Sequence, residues 1–332
     1  MSAFLINSKS ENTSQSYFLS FKRWDNFIKR QGFCALLAQF IYVALYINYF
    51  LDSGASCNKV NSAVYSIKWA HRLNNLTDPT DNSFVASLQE AGRRIACPKK
   101  SKKDPVTTEM LIDWCTKFKD CKDLVIIRDL AMILLSFADF LRCDEISSLM
   151  CNNVKIYDEY LILFIEKAKT DQYRNDNEVL ISNGNTVACP FSMFNRYLAI
   201  SEIVLDSNMF LLRPIFRSKN ICKLIYKNKK LCYTAARRSI ISRLKLVAKD
   251  LNLGLHSKRS GGATAVVNTN IDERCWKRHG RWKSDTSKDG YIVDSVTSRL
   301  EVTKKLGLYI LFRSNYHLVL TMVDYFYGFN SF

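Results

Sequence analysis

Residues 256–291 read HSKRSGGATAVVNTNIDERCWKRHGRWKSDTSKDGY and combine a His-x-x-Arg pair, a Gly-Arg-Trp triplet and a final tyrosine in one basic segment. His256 and Arg259 stand three residues apart, so a helix that begins here would carry both side chains on one face. The amide groups at such a helix start favour an anion. The small residues 260–264, Ser-Gly-Gly-Ala-Thr, would let the helix pack closely against its neighbours. This set of side chains fits chemistry on a phosphodiester.

Length, composition and charge limit the classes of protein that the chain can form. A length of 332 residues suits two compact domains. The hydrophobic share of 48% and the charged share of 24% are ordinary for a globular protein with a large core, and exclude disorder of the whole chain. Lys and Arg outnumber Asp and Glu by 48 to 31, so the net charge of +17 favours a polyanionic partner. Charge alone does not distinguish nucleic acid from an anionic membrane surface.

Cysteine and histidine usage argues against disulfides and against a structural metal site. The eleven cysteines are odd in number, none forms a Cys-x-x-Cys pair, and the start MSAFLINSKS lacks the apolar core of a signal peptide. We therefore expect reduced, intracellular thiols. None of the four histidines pairs with cysteines at zinc-ligand spacing.

The uncharged run of residues 31–51 is long enough to span a bilayer, yet Gln39, Asn48 and several tyrosines interrupt its apolar character. A buried core helix is the favoured interpretation. Apolar spacing predicts four helices in the first part of the chain, over residues 14–30, 34–51, 59–76 and 81–95, and hence a helical bundle.

A basic run bracketed by prolines, residues 97–105, breaks the helical periodicity and predicts an interdomain linker. This run could be a solvated linker or a nuclear address. It could equally lie across a phosphate backbone and let two domains hold a duplex from opposite sides.

The second part of the chain reads as α+β with helices dominating. Helices are predicted over 107–119 and 123–140, the latter buried on most sides and followed by Arg142. Strands over 154–157, 160–168 and 178–182 predict a small antiparallel meander. Further helices are predicted over 190–201, 234–251, 256–268 and 272–278.

A one-sided charge distribution marks residues 207–249, which hold twelve Lys and Arg residues and no acid. Phe216, Tyr226 and Tyr233 lie among them. Solvated surfaces usually mix both signs, so the segment favours a duplex-binding face over an ordinary solvated face. Contacts of this kind go to phosphates and predict salt-dependent affinity without sequence preference.

Taken together, the motifs resemble those of the tyrosine recombinases of the phage-integrase superfamily, over about residues 14–308. Residues 255–264 and 280–284 also resemble the recombinases of eukaryotic mobile elements of the Crypton and DIRS kinds. The resemblance implies a mainly α, α+β protein: a helical, SAM-like core-binding domain at 1–96, a linker at 97–105 and a mixed catalytic domain with a small antiparallel sheet at 106–308. Residues 309–332 form an apolar tail with no counterpart in the family.

The resemblance further implies an active site filled in the family's order. Its members are Arg142, Lys169, His256, Arg259, Trp282 and Tyr291. Arg142 and Arg259 would bind the non-bridging oxygens, since a guanidinium pairs two oxygens at once. Glu145 would orient the site. Lys169 would protonate the departing 5′ oxygen, with Lys167 as the rival two residues away.

Tyr291 is the nucleophile that the resemblance implies, because Trp282 precedes it by nine residues, where the family places a His or Trp. Trp282 would donate its indole N–H to the phosphate while packing in the core. His279, twelve residues before the tyrosine, is interpreted as a nearby basic contact. His256 would hydrogen-bond the phosphate or help accept the tyrosine proton.

The implied reaction joins DNA strands through a 3′-phosphotyrosine within a homo-tetramer on double-stranded DNA, and its transesterification requires neither a metal nor a nucleotide. A mobile-element origin and residence in the nucleus are expected. Alternatives are a type IB topoisomerase and a host-adopted DNA-binding regulator without cleavage; a metal-dependent DDE integrase is disfavoured because no carboxylate trio stands out. The tail could dock on a neighbouring subunit, form a core helix, be an aggregation-prone end or be a misjoined exon.

Overall fold

The computed structural model describes residues 8–96, 102–166, 177–219, 221–269 and 271–305. The chain forms two compact units, residues 1–101 and residues 102–332. The division between them falls inside the proline-bracketed basic run, residues 97–105. Lys99 and Lys100 of that run lie outside the described residues.

The first unit consists of four described helices, in agreement with the periodicity of the sequence. They are α1 (Glu11–Lys29), α2 (Phe40–Asp52), α3 (Cys57–Leu73) and α4 (Ser83–Ala96). The second helix is shorter than predicted, because the chain leaves the helical region before it: Gly32 and Leu37 have φ of 80° and 62°. The indole of Trp24 donates to the Ala35 carbonyl at 3.0 Å, which fixes the non-helical path.

The core of the first unit forms where α1 packs on α3 and α2 packs on α4. Trp24, Ile47 and Ile67 are fully buried in it. Helix α2 buries one face, and Ile41, 39% exposed, lies on its other face. The predicted core helix is therefore buried on one face and exposed on the other. Within the described ranges, no helix is both long and apolar enough to cross a membrane.

The second unit combines nine described helices with two small sheets. Its helices are α5 (Thr108–Lys117), α6 (Leu124–Ala138), α7 (Cys143–Ser148), α8 (Pro190–Ser201), α9 (Tyr233–Leu244), α10 (Ser257–Val267), α11 (Glu273–His279), α12 (Asp285–Asp289) and α13 (Val296–Lys304). Its strands are β1 (Val154–Ile156), β2 (Tyr160–Ile165), β3 (Asn177–Ser182), β4 (Ile215–Arg217) and β5 (Cys222–Leu224).

Helix α6 is the centre of the second unit, as its apolar composition predicts. Asp123 caps its start by accepting from the Val125 amide at 2.8 Å. Eleven of its fifteen residues are buried, and the helix packs against α7, α8, α9 and α10. Because α7 and α10 both pack against it, α6 connects the segment of Arg142 with the helix that follows His256 and carries Arg259.

The predicted meander is present as the antiparallel sheet β1-β2-β3. Val154 pairs with Leu163, and Leu161 pairs with Ile181, so these apolar side chains share the buried face. Strand β2 ends at Ile165, and residues 167–176, which connect it to β3, lie outside the described residues.

Some elements differ from the sequence-based expectation. Helix α9 ends at Leu244 and not near residue 251, yet Val247, Ala248 and Leu251 still pack on the core from the turns that follow. In the segment after Leu244, the apolar spacing therefore indicates buried side chains and does not indicate a helix. The hairpin β4-β5 and the short helices α12 and α13 were not predicted.

Candidate active site

Arg142 lies where the chain turns sharply out of α6. Phe140 adopts a φ of 51°, and the Leu141 amide donates back to the Ser136 carbonyl at 3.0 Å. The turn makes Arg142 the N-cap of the next helix, α7, and not the last residue of α6. Its side chain is 16% exposed, so part of the guanidinium remains accessible from outside.

Glu145, in the first turn of α7, holds Arg142 by two contacts. One carboxylate oxygen accepts from the Arg142 amide at 2.8 Å, and the other pairs with Arg142 Nη1 at 2.6 Å. Burial alone would raise the pKa of Glu145, but the charges of Arg281 and Arg142 and the bond from the Arg142 amide outweigh it and lower that pKa. Glu145 is therefore ionised and can orient Arg142.

Arg281 is a third arginine at the same carboxylate and was not identified from the sequence as a site residue. Its Nη2 lies 3.4 Å from Glu145 Oε2 and donates to the Asp139 carbonyl at 3.3 Å. The residue has a φ of 54°, a rare backbone conformation for a residue other than glycine. No sequence signal beyond its place between Gly280 and Trp282 could have identified it.

Arg259, in the first turn of α10, is fully buried. Its Nη1 donates to the Phe140 carbonyl, and its Nη2 donates to the Gly280 carbonyl at 2.9 Å. Glu145 Oε2 is 4.0 Å from Nη1. Burial and the nearby positive charge of Arg142 lower the pKa of Arg259. The guanidinium thus ties α10 to the Phe140 turn and to the end of α11.

The small residues after Arg259 allow α10 to approach the core closely, as the sequence indicates. A Cβ atom on Gly261 would lie 2.0 Å from the Val106 carbonyl oxygen, and one on Gly262 would lie 2.2 Å from the Phe137 carbonyl oxygen. Both contacts are to backbone, which cannot move aside cheaply. Any side chain at either position would push α10 away from α6 and displace Arg259.

Tyr291 follows α12 and lies over the Arg259 guanidinium, whose Cζ is 4.9 Å from the phenol ring centre. The ring centres of His256 and Trp282 are 6.2 Å and 6.0 Å from that of Tyr291. His256 is exposed, whereas Tyr291 is partly buried. The structure therefore brings His256, Arg259, Trp282 and Tyr291 together, next to the Arg142 turn.

Trp282 packs in a small apolar cluster beside the site and is 6% exposed. Its ring lies 4.7 Å from Arg259 Cζ and 5.5 Å from the Phe140 ring centre. His279, by contrast, turns toward the end of α6, where its Nε2 lies 2.7 Å from the Ala138 carbonyl oxygen. Burial lowers the pKa of His279. Of the two aromatic candidates, Trp282 is the one beside Tyr291.

Several buried donors of the site have no hydrogen-bond partner among the described residues: Arg259 Nε, Arg281 Nε and Trp282 Nε1. An unpaired buried donor costs about 1–3 kcal/mol. These three N–H groups, two of them on positively charged arginines, lie on neighbouring residues around Glu145 and Tyr291, and such groups favour an anion.

A second buried group, the Asp139 carboxyl at the end of α6, lies beneath the arginines. Neither of its oxygens has a hydrogen-bond partner among the described residues. Burial raises the pKa of Asp139 from 3.8 to about 8, against the opposing charge of Arg281. Lys258 is also fully buried, and its Nζ lies 3.3 Å from Ser136 Oγ.

Lys288 fixes the short helix that precedes Tyr291. Its Nζ forms an ion pair with Glu273 of α11, and it lies 3.4 Å from Asp285 and 3.6 Å from Asp289. The lysine side chain is 7% exposed, although its carboxylate partners are 62–64% exposed. This cluster attaches α12 to α11.

Lys169 and its rival Lys167 lie outside the described residues, so their place relative to the arginines stays a prediction. The tail, residues 309–332, also lies outside them.

The basic segment 207–249 is only partly neutralised by acids from elsewhere in the unit. Arg217 pairs with Asp123 at 2.7 Å, and Lys230 pairs with Asp144 at 3.1 Å. Tyr226 is 82% exposed. Further exposed cations of the segment are Lys219, Lys223, Lys227, Lys229, Arg237, Arg238, Lys245 and Lys249. A cationic surface thus remains after these pairings.

No protein-family model matches the sequence, and the search of curated proteins found no match. Solved structures do resemble it. One is the XerH site-specific recombinase bound to difH substrate in a pre-cleavage complex, with a TM-score of 0.54 and 13% identity over 87% of this chain and 78% of that chain. Another is residues 75–356 of lambda integrase, a dimer bound to a COC′ core site, with a TM-score of 0.54 and 15% identity over 85% and 89% of the two chains.

A post-cleavage complex of XerH on a palindromic difH substrate is similar at a TM-score of 0.53 and 14% identity, over 80% of this chain and 69% of that chain. The chain therefore has the fold of the tyrosine recombinases, which confirms the predicted mainly α, α+β class with a small antiparallel sheet. At these identities the likeness concerns the fold. The affinity to Crypton and DIRS elements stays a prediction.

Proposed function

We propose that this protein is a DNA recombinase that cleaves and rejoins strands of double-stranded DNA through Tyr291. The observation that carries the proposal is the convergence of Arg259, His256 and Trp282 on Tyr291, with Arg142 held by Glu145 next to Arg259, on a fold shared with site-specific recombinases. These residues are up to 149 positions apart in the sequence, so only a specific fold brings them to one place.

In the proposed reaction, the Tyr291 phenol oxygen attacks the scissile phosphorus, and the bond to the 5′ oxygen breaks. His256 or water accepts the phenol proton, and a general acid, Lys169 or Lys167, gives a proton to the 5′ oxygen. Arg142 and Arg259 offset the charge on the non-bridging oxygens. The resulting phosphotyrosine conserves the bond energy, so a second 5′ hydroxyl can displace the tyrosine without an external energy source.

The cationic surface of 207–249 would bind one side of the duplex and the helical unit the other, with assembly into a homo-tetramer for strand exchange. The XerH and lambda integrase structures named above hold DNA, which supports a duplex as the partner. Origin in a mobile element, DNA integration as the outcome and residence in the nucleus belong to the same proposal.

Covalent trapping tests the proposal directly. Purified protein is incubated with a randomised library of nicked duplexes, and adducts that survive denaturant are isolated and their DNA sequenced. We expect the wild type to form an adduct, the Tyr291→Phe variant to form none, and the matched Tyr157→Phe variant to behave as the wild type. Tyr157 is a suitable control because it lies in the turn between β1 and β2, outside the proposed DNA-binding surface, and is 44% exposed.

An adduct that persists in Tyr291→Phe would contradict the assignment of the nucleophile. DNA binding by the wild type without any adduct would favour the second candidate, a DNA-binding regulator that kept the fold and lost cleavage. One observation speaks for that candidate: both Nη atoms of Arg259 donate to main-chain carbonyls, and the residue is fully buried.

A further inference from the structure

The segment that carries Tyr291 is attached to α10 by two hydroxyl groups. Ser260 Oγ donates to the Tyr291 carbonyl, and the Val293 amide donates to Thr264 Oγ1 at 3.1 Å. Ser260 and Thr264 stand four residues apart, so they lie on one face of α10. We name them the hydroxyl pair. The pair holds the main chain on both sides of Ile292.

The same face of α10 continues to His256, four residues before Ser260, whose ring is 6.2 Å from that of Tyr291. One stripe of the helix therefore contacts the tyrosine side chain and its main chain. Arg259 stands next to Ser260 in the sequence. A shift of the Tyr291 main chain relative to the hydroxyl pair is therefore also a shift relative to His256 and Arg259.

A serine or threonine inside a helix often returns its hydroxyl to a carbonyl three or four residues earlier. Thr269 does so after α10, donating to the Val266 carbonyl at 2.6 Å, and Ser201 does so at the end of α8, donating to the Tyr197 carbonyl at 2.6 Å. The hydroxyl pair instead bonds a segment about thirty residues further on. Ser260 is also buried, at 8% exposure. These bonds are tertiary attachments.

We infer that Ser260 and Thr264 are positioning residues for the nucleophile, which they hold against the same chain's Arg259 and His256. The inference rests on the proposed function, because it assigns to these hydroxyls the task of presenting the Tyr291 phenol. They do not touch the reacting atoms. Their effect is on the rate of attack once DNA is bound, since the placement of a nucleophile within a bound complex governs that step.

The double variant Ser260→Ala/Thr264→Val tests the inference against the matched control Ser201→Ala/Thr269→Val, which removes two hydroxyls that bond only nearby carbonyls. Each lost hydrogen bond should lower the rate of adduct formation roughly fivefold. On the DNA site identified by trapping, at a saturating DNA concentration, we expect the single-turnover rate of adduct formation to fall about 25-fold. The DNA affinity and the unfolding midpoint should equal those of the control variant. The conservative variant Ser260→Thr/Thr264→Ser, which keeps both hydroxyls, should restore the rate.

Amide exchange measured without DNA separates the attachment from the chemistry. The Val293 amide should exchange faster in Thr264→Val than in the wild type, and be unchanged in Thr269→Val. If the Val293 amide exchanges equally in Thr264→Val and the wild type, the inference is overturned. It is also overturned if the wild type forms an adduct and the double variant forms it as fast as the control does. In both cases the proposed function is unaffected. If the rate falls together with the unfolding midpoint or the DNA affinity, the hydroxyl pair has a general structural role, and the inference is overturned as well. A wild type that forms no adduct overturns the proposed function, and the positioning role falls with it.

Discussion

The arginine half and the tyrosine half of the candidate site are held in the protein by different means. Arg259 is fully buried and bonds carbonyls of two separate turns, while Glu145 bonds both the side chain and the amide of Arg142. Tyr291 follows a five-residue helix and depends on two hydroxyl bonds and the ion pairs of Lys288.

The difference indicates a division of tasks. Charges that must act on a phosphate gain from rigid support in a site that excludes water, because the stabilisation needs no rearrangement at the moment of reaction. The proposed nucleophile would form and then break a covalent bond and so needs to move, and attachment through a few bonds permits that. Substitutions should therefore affect folding strongly in the arginine half and mainly the rate in the tyrosine half.

The largest effect is expected for Arg259→Ala, which leaves the Phe140 and Gly280 carbonyls unpaired inside the protein. We expect the free energy of unfolding to fall by about 3 kcal/mol or more, together with loss of adduct formation. Arg259→Lys should recover part of the stability but still reduce adduct formation at least about 100-fold, because an ammonium lacks the planar fork.

Denaturant titration and covalent trapping measure the two quantities, with Arg299→Ala, an exposed arginine of α13, as the control. Wild-type stability in Arg259→Ala would show that the arginine half is not the rigid one.

A smaller and pH-dependent effect is expected for Asp139→Asn, which replaces the buried carboxyl beneath the arginines. Burial raises the pKa of Asp139 to about 8, so the folded protein keeps a proton that the unfolded chain loses near pH 4. The contribution of the Asp139 carboxyl to the free energy of unfolding therefore falls as the pH rises from about 4 to about 8. The variant should be stabilised relative to the wild type by at least about 1 kcal/mol more at pH 8 than at pH 5.

Thermal unfolding across this pH range checks the sign. The exposed Asp206→Asn variant should track the wild type at every pH. A stability difference between Asp139→Asn and the wild type that is the same at pH 5 and at pH 8 would contradict the raised pKa of Asp139.

In the tyrosine half, Lys288→Met should cost only about 1 kcal/mol of stability, because the carboxylates that pair with the lysine are largely exposed. The methionine keeps the packing on Trp276, whose ring centre is 5.0 Å from the lysine Nζ. We expect the rate of adduct formation to fall a few-fold while DNA affinity is kept. Lys304→Met, which removes an exposed pair with Glu301, is the matched control. A loss of stability as large as that of Arg259→Ala would remove the distinction between the halves.

The smallest structural effect is expected outside both halves, for Arg237→Ala/Arg238→Ala on the exposed side of α9. Stability should stay within about 0.5 kcal/mol. If each arginine contacts one phosphate, the slope of log affinity against log salt should become shallower by about 1.8, with no change in the DNA sequence selected by trapping. Binding at a series of salt concentrations measures this, with Lys117→Ala as the control. An altered sequence preference would mean that these arginines read bases.

Much of the fold could be predicted because periodicity reports burial. Helix α8 begins and ends at the predicted residues, and the central helix α6 is buried on most sides as predicted. The failures have two causes. Around Val247 the apolar residues pack on the core from turns, and spacing cannot distinguish a buried helix from a buried turn. Around Leu37, which is 76% exposed and has a φ of 62°, the apolar spacing corresponds neither to a helix nor to burial.

The sequence proposed site residues whose types and spacings are characteristic, such as Arg259 and Tyr291; the structure places these two side by side, and their roles stay predictions. Prediction from the sequence missed Arg281, whose side chain reaches Glu145 only because its backbone adopts a positive φ. It also missed Asp139, which stands near the end of the predicted helix 123–140 and whose carboxyl oxygens have no hydrogen-bond partner among the described residues.

The amino-acid sequence by itself determined the helical core, the cationic segment and the order of the arginine, histidine, tryptophan and tyrosine residues, because these depend on residue type and local spacing. Only the tertiary structure decided that the Arg142 turn, the α10 stripe and the Tyr291 segment meet. It also decided which carbonyls bind Arg259 and which hydroxyls hold the tyrosine. The physical reason is that these contacts join residues 21 to 119 positions apart, and their energies arise only after folding has removed water from between them.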